Sequence, residues 1–211
     1  MQLIDISRTL NAQIAVWPGD TPFAIQPVLT IADGAAVNLT TLTLSAHTGT
    51  HADAPYHFAA DGATFDQLDL APYWGPAQVV TVTRTTGELT ADDFAHVDLA
   101  AAPRLLVRSP ASEQNPTHFP TSIVYPGPAL IEVLGRYGVV LYGADAPSMD
   151  AIDSKTLPGH HALRRHGIAI LEGLDLTRAP DGIYELVALP LKIAGGDGSP
   201  VRAVLRAKES K

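Results

Sequence analysis

Three histidines and one aspartate fall within eleven residues, at His47, His51, Asp53 and His57, in a chain that holds eight histidines and no cysteine. Imidazole and carboxylate are ligands for zinc, manganese or iron. A transition-metal site in this sequence must therefore be of the nitrogen and oxygen type. An ordinary surface loop has no reason to place these four residues so densely. Their flanks, Ala46, Thr48, Gly49, Ala52 and Ala54, are small and leave room for an ion and a ligand. The second half offers more candidates. Leu157–Leu163 reads as a helix start that carries His160 and His161, and a strand over Ile168–Leu174 puts Ile168, Ile170 and Glu172 on one face. A carboxylate on an apolar face is costly unless it is paired or bound to a cation. The bland alternative for Glu172 is an exposed strand end or a pair with Arg164 or Arg165. His96 and His118 lie in polar, loop-like surroundings and read as surface residues. His166 follows two arginines and reads as a helix C-terminus.

Elements must bring these groups together. Leu42 and Leu44 alternate with Thr41, Thr43 and Ser45, a strand pattern whose polar face continues to His47. Run straight on, that strand would hold His47 and His51 about 13 Å apart at roughly 3.3 Å per residue. It is therefore expected to end near Gly49, which tolerates unusual φ. Thr50–Asp53 has the form of a capping box that starts a tight turn, and Pro55 disfavours helix at Ala54. Further strands are expected over Leu3–Ser7, Phe23–Ile31, Ala77–Arg84, Arg104–Arg108, Val139–Gly143, Tyr184–Leu191 and Val201–Arg206. Short helices are expected over Thr90–His96, capped by Thr90 with Asp93, and over Gly127–Tyr137. The loop Gly195–Pro200 precedes no helix and is not read as a phosphate loop. The charged end, 207–211, reads as frayed. Strands first and alternation later fit a mixed α/β fold, and 211 residues fit a single domain, 1–211.

Composition narrows the function. A net charge of −8 argues against nucleic acid and against an anionic membrane surface. No apolar run approaches a membrane span, and the N-terminus has no signal-peptide pattern, so a cytoplasmic location is expected.

The segment His47-Thr-Gly-Thr-His51-Ala-Asp53-Ala-Pro-Tyr-His57-Phe resembles the HxGTHxDAPxHF signature of the metal-dependent cyclase superfamily. Trp17-Pro-Gly-Asp-Thr-Pro-Phe23 and Tyr142-Gly-Ala-Asp-Ala-Pro-Ser148 resemble motifs of one branch, the bacterial-type kynurenine formamidases. So does Asp150-Ala-Ile-Asp-Ser-Lys-Thr-Leu-Pro-Gly-His-His161. The resemblance runs from Ile4 to about Pro190. Ala144 stands where a larger residue is expected in relatives, and Gly159 where alanine is expected.

The resemblance implies a swivelling β/β/α domain that dimerises and holds two zinc ions, with manganese or cobalt as alternatives. It implies His47, His51, Asp53, His160 and Glu172 as metal ligands, with Asp53 and Glu172 bridging. His57 is then the acid/base and Trp17 a substrate-pocket residue. One residue of register error would exchange His160 for His161. The implied reaction is hydrolysis of N-formyl-L-kynurenine to L-kynurenine and formate in tryptophan degradation.

Two cations roughly 3.5–4 Å apart suit that chemistry, because a shared water is acidified and the carbonyl polarised. Three rivals differ in kind. One is a relative that hydrolyses isatin or another cyclic amide. The second is a metal- or ligand-binding protein without turnover. The third is a serine hydrolase using Ser45 or Ser148, though no Gly-x-Ser-x-Gly elbow is present.

Overall fold

The computed structural model describes residues 3–207. Its strands are β1 (Leu3–Asp5), β2 (Ala24–Leu29), β3 (Leu39–Thr43), β4 (His51–Asp53), β5 (Trp74–Thr81), β6 (Gly87–Leu89), β7 (Arg104–Arg108), β8 (Val124–Pro126), β9 (Leu141–Ala144), β10 (Ala169–Glu172), β11 (Gly182–Val187), β12 (Gly198–Pro200) and β13 (Val204–Ala207). Two α-helices, α1 (Pro128–Arg136) and α2 (Pro158–Arg165), precede β9 and β10. Nine strands form one mixed sheet in the order β1-β13-β11-β5-β7-β9-β10-β4-β12. Its centre, β5-β7-β9-β10, is parallel, and the strands outside it pair antiparallel. The parallel pairs β7–β9 and β9–β10 need crossovers, which α1 and α2 supply.

The central strands are apolar on both sides, as expected of buried parallel strands. Leu105 and Val107 of β7, Tyr142 of β9 and Ile170 of β10 point to one face, where Leu130, Ile131 and Leu134 of α1 and Ala162 and Leu163 of α2 cover them. Leu106, Leu141 and Leu171 point to the other face and meet Ile6, Tyr73, Leu186 and Leu205. The sheet therefore has one helix-covered face.

The mixed α/β expectation holds. The strand at Arg104–Arg108 matches its expected bounds, and Gly127 and Tyr137 cap α1. Thr90 and Asp93 form the expected capping box, on a short 3-10 helix, Ala91–Phe94. Three local readings are corrected. The strand before His47 stops at Thr43, because β2 and β3 pair only with each other as a separate, exposed ribbon. His47 lies in the turn that returns the chain to the main sheet, where Gly49 takes φ 68°. Thr50–Asp53 starts no helical turn. His51–Asp53 is β4, whose backbone pairs with β10 on one side and β12 on the other. Two flanking strands outweigh a local capping preference. Lastly, the loop Gly195–Pro200 ends in β12. The reading of 208–211 as frayed lies outside the described residues.

Candidate metal centre and active site

Sheet register assembles the core of the site. Glu172 of β10 stands directly across from His51 of β4, and Ile170 across from Asp53. Directly opposed residues share a face, so His51, Asp53 and Glu172 all lie on the side covered by α2. Gly173 follows with φ +63° and lies so close to Gly49 that a Cβ would sit 2.3 Å from the Gly49 carbonyl oxygen. Only glycine lets the two loops meet there and close the end of the site.

The third element is α2. Leu157 takes the left-handed region, φ 45° and ψ 52°, and has no side-chain cap to offer. Asp150 takes over that role from a distance. Its carboxylate accepts the backbone N–H of Gly159 at 2.7 Å and of His160 at 3.0 Å, and it meets His160 Nδ1 at 2.6 Å. A carboxylate at a helix N-terminus stabilises the helix by satisfying orphan donors. Here it also aims the His160 ring. A Cβ at Gly159 would lie 2.2 Å from the Met149 carbonyl oxygen, so the glycine found where alanine was expected fits this backbone.

Around the carboxylates the donor atoms fall into two groups. Asp53 Oδ1 lies 3.0 Å from His47 Nδ1 and 3.3 Å from His51 Nε2, and His51 Nε2 lies 3.4 Å from Glu172 Oε2. On the other side His160 Nε2 lies 3.5 Å from both Asp53 Oδ2 and Glu172 Oε1. Those two oxygens are buried and have no hydrogen-bond partner. Leaving such atoms bare costs about 1–3 kcal/mol each, and more when they carry charge. Donor atoms around a tetrahedral zinc are about 3.3 Å apart, given Zn–N near 2.0–2.1 Å. Such spacings suit a bound cation, and two sets bring their ligand atoms close enough to share one: His51 with Asp53 and Glu172, and His47 with Asp53 and His57.

The outward nitrogens support the same fit. His47 Nε2 meets Asp197 at 3.1 Å, His51 Nδ1 the Gly49 carbonyl at 3.0 Å, and His160 Nδ1 meets Asp150. Each ring donates outward to an acceptor, which directs its inner nitrogen at the carboxylates. That is how histidines behave as metal ligands. Burial disfavours an imidazolium at His51, yet Asp53 and Glu172 outweigh it and hold its pKa at about 10. Burial also opposes charge at His160, but Asp150, Asp53 and Glu172 push it up to about 12. Burial works against the Asp53 carboxylate, while His160, His47 and His51 hold it well below its ordinary range. Burial and Asp53 both oppose charge on Glu172, and His160 and His51 still bring it down. The cluster thus demands positive charge between its imidazoles and carboxylates, as protons or as metal.

Glu172 is 3% exposed, and Arg164 pairs with Asp61 at 2.9 Å instead. The exposed-end and Arg164-pair readings of Glu172 are therefore excluded. His161 lies outside the carboxylate group, with its ring edge-on to Phe58 at 5.7 Å. His96 and His118 are exposed as expected, though His118 also lines the cavity, and His166 caps the end of α2.

The cluster opens into a cavity of about 480 Å³, within the range of small-molecule sites. Trp17 and Phe119 line it, their rings edge-to-face at 5.1 Å. His57 also lines it, with its ring centre 4.0 Å from that of His47 and its Nδ1 3.3 Å from Asp197. Ser45 and Ser148 line it too, but among the described residues neither hydroxyl bonds a histidine ring. A serine nucleophile would have no base. Asp150, Asp197 and Phe119 were not picked out from sequence. Asp197 and Phe119 lie far along the chain from the side chains they serve, and no periodicity marks them, while Asp150 stands ten residues before His160 in a segment that stood out only for its likeness to relatives.

A mixed sheet carrying buried carboxylates and imidazoles that suit metal defines the class of cyclase-fold, metal-dependent hydrolases. The Cyclase family model matches residues 4–151. The chain is 47% identical over 203 residues to the kynurenine formamidase of Geobacillus thermodenitrificans, covering 96% of each. It is 46% identical to that of Salinibacter ruber, covering 98% of each. Among solved structures, isatin hydrolase A from Labrenzia aggregata superposes with TM-score 0.84 at 25% identity, covering 97% of this chain and 93% of that one. A protein described as a predicted metal-dependent hydrolase from Bacillus stearothermophilus gives 0.81 at 27%, covering 97% of each. The chain belongs to the cyclase family, in its kynurenine formamidase branch.

Proposed function

We propose that this protein is a kynurenine formamidase, which hydrolyses the formamide of N-formyl-L-kynurenine to L-kynurenine and formate. The observation that carries the reading is the buried pair Asp53 and Glu172, each with a bare oxygen, faced by three outward-bonded histidines under a cavity with an aromatic wall. His47, His51, Asp53 and Glu172 would hold one ion, and His160, Asp53 and Glu172 a second. Metal bound there supplies Lewis acidity, which lowers the pKa of a water from about 15.7 towards about 7 and polarises a carbonyl. His57, at the cavity wall beside His47, accepts the proton of the attacking water. It then returns that proton to the aniline nitrogen as the C–N bond breaks. An anilide leaves as an amine only when protonated, so this return is essential. Zinc is the ion we favour, as in the family it resembles, and a carboxylate and imidazole set also accepts manganese or cobalt.

Trp17 fits the aryl ring of the substrate. It is 39% exposed, lines the cavity and is braced by Phe119. Trp17→Ala should raise KM about 2- to 10-fold, the scale of one aromatic contact, with metal content unchanged. A lowered melting temperature with unchanged KM would mark Trp17 as a packing residue instead.

The rest of the reading is a single domain, a homodimer and a cytoplasmic location. The same four central strands carry both faces of the core, which supports one domain. Ile25, Val28, Leu29, Leu39 and Leu42 are exposed on the β2–β3 ribbon, and such an apolar surface supports burial against a second copy. Among the described residues no helix is long and apolar enough to cross a membrane.

The test joins metal analysis to a substrate panel. Protein reloaded with zinc should hold close to two ions per chain and cleave N-formylkynurenine faster than isatin. A stable value near one with full activity sinks the two-ion site. Faster turnover of isatin would move the protein towards the isatin hydrolases it superposes on.

A further inference from the structure

We propose that Asp197 is the positioning residue of this site, fixing the ring and the tautomer of His57 and tying it to His47. The inference rests on the reading of His57 as the acid/base. One oxygen, Asp197 Oδ2, lies 3.1 Å from His47 Nε2 and 3.3 Å from His57 Nδ1. A carboxylate oxygen only accepts, so both of those ring nitrogens carry hydrogen. His47 is left with its lone pair on Nδ1, directed at the Asp53 side, and His57 with its lone pair on Nε2. A base with its lone pair on Nε2 and its N–H held by an aspartate has the arrangement that orients catalytic histidines elsewhere.

His57 needs such an anchor. It sits on a one-turn 3-10 helix, Pro55–His57, and its side chain is 36% exposed. Among the described residues its ring makes no hydrogen bond other than the one to Asp197. Asp197 itself is well held. Its carbonyl accepts the Ala54 N–H at 2.9 Å, and that of Gly196 accepts the Phe65 N–H at 3.1 Å. Both bonds grip the segment that carries His57, so the anchor and the histidine move together. Gly198 completes the fit. A Cβ there would lie 2.6 Å from His47 Cε1, so the His47 ring can lie against β12 only because that position is glycine.

Asp197→Asn and Asp197→Ala, alone and combined with His57→Ala, test this at saturating zinc. Asp197→Ala should lower kcat on N-formylkynurenine and on formanilide by about 10–100-fold, the usual range for a residue that orients another, with KM and zinc content unchanged. Asp197→Asn, which keeps an acceptor oxygen, should recover part of that loss. In the His57→Ala background the Asp197 substitutions should cost nothing further, since two residues acting as a unit are non-additive. Imidazole ¹H–¹⁵N spectra should show His57 as the Nδ1–H tautomer in the parent protein and as a tautomer mixture in Asp197→Ala.

A full, multiplicative loss in the His57→Ala background overturns the proposal and leaves His57 as the acid/base. So does loss of zinc from Asp197→Ala, which would assign Asp197 to His47 alone. A rise in KM for N-formylkynurenine but not for formanilide also overturns it, because Asp197 would then bind the substrate's ammonium group. A His57→Ala protein that hydrolyses the anilide at the parent rate defeats the acid/base reading itself, and the proposal with it.

Discussion

Asp53→Asn is expected to release metal and to lower turnover on the order of 10⁴-fold or more, the scale of deleting one member of a catalytic unit. Among the described residues Asp53 is the one side chain that meets all three inward histidines, through Oδ1 to His47 and His51 and through Oδ2 to His160. The substitution keeps shape and volume, so core packing around Ala52 and Ala54 is preserved. What it removes is the negative charge and one acceptor. Both proposed ion positions lose a ligand at once, whereas a change at His160 would weaken only one. Elemental analysis after zinc reloading should find well under one ion per chain. Asp61→Asn, on the surface beside Arg164, should keep its metal and serves as the control. Retention of two ions by Asp53→Asn, with activity within about tenfold of the parent, would contradict the shared role of this carboxylate.

His57→Ala should behave differently. His57 contributes nothing to the buried group around Glu172 and is anchored from the loop at Asp197. Its loss should leave the fold and both ions in place and reduce turnover roughly 10²–10⁴-fold, the usual contribution of a general acid/base. The leaving group sharpens this. An aryl ester departs as a phenolate that needs little protonation, while an anilide must receive a proton. His57→Ala should therefore damage anilide hydrolysis more than ester hydrolysis. His51→Ala, by contrast, should lose metal and rate together, because His51 is buried between the two carboxylates. A His57→Ala protein that has shed an ion, or that is equally impaired on both substrates, would make His57 a ligand. Its ring lies within ligand reach of His47 and Asp53, so metal content must be read beside the rate.

Residue type and spacing by themselves pointed to the candidate chemistry of this protein. Density of histidine and aspartate at 47–57, the absence of cysteine, and a glutamate on an apolar strand face all mark a nitrogen and oxygen metal site before any fold is known. Strong local patterns were legible too, such as the buried run Arg104–Arg108 and the helix that Gly127 opens. Where local signal and tertiary pairing disagreed, pairing prevailed. Thr50–Asp53 carries a helix-start pattern, yet the hydrogen bonds offered by β10 and β12 make it a strand. Which of the two rings, His160 or His161, faces the buried carboxylates was likewise set by Asp150, ten residues away, which caps α2 and bonds only the first of them. Asp197, 140 residues beyond His57, reaches it only because β12 pairs with β4. Such contacts depend on which strands become neighbours. That is settled by burying both faces of the central sheet at once, a property of the whole chain that no window of sequence contains.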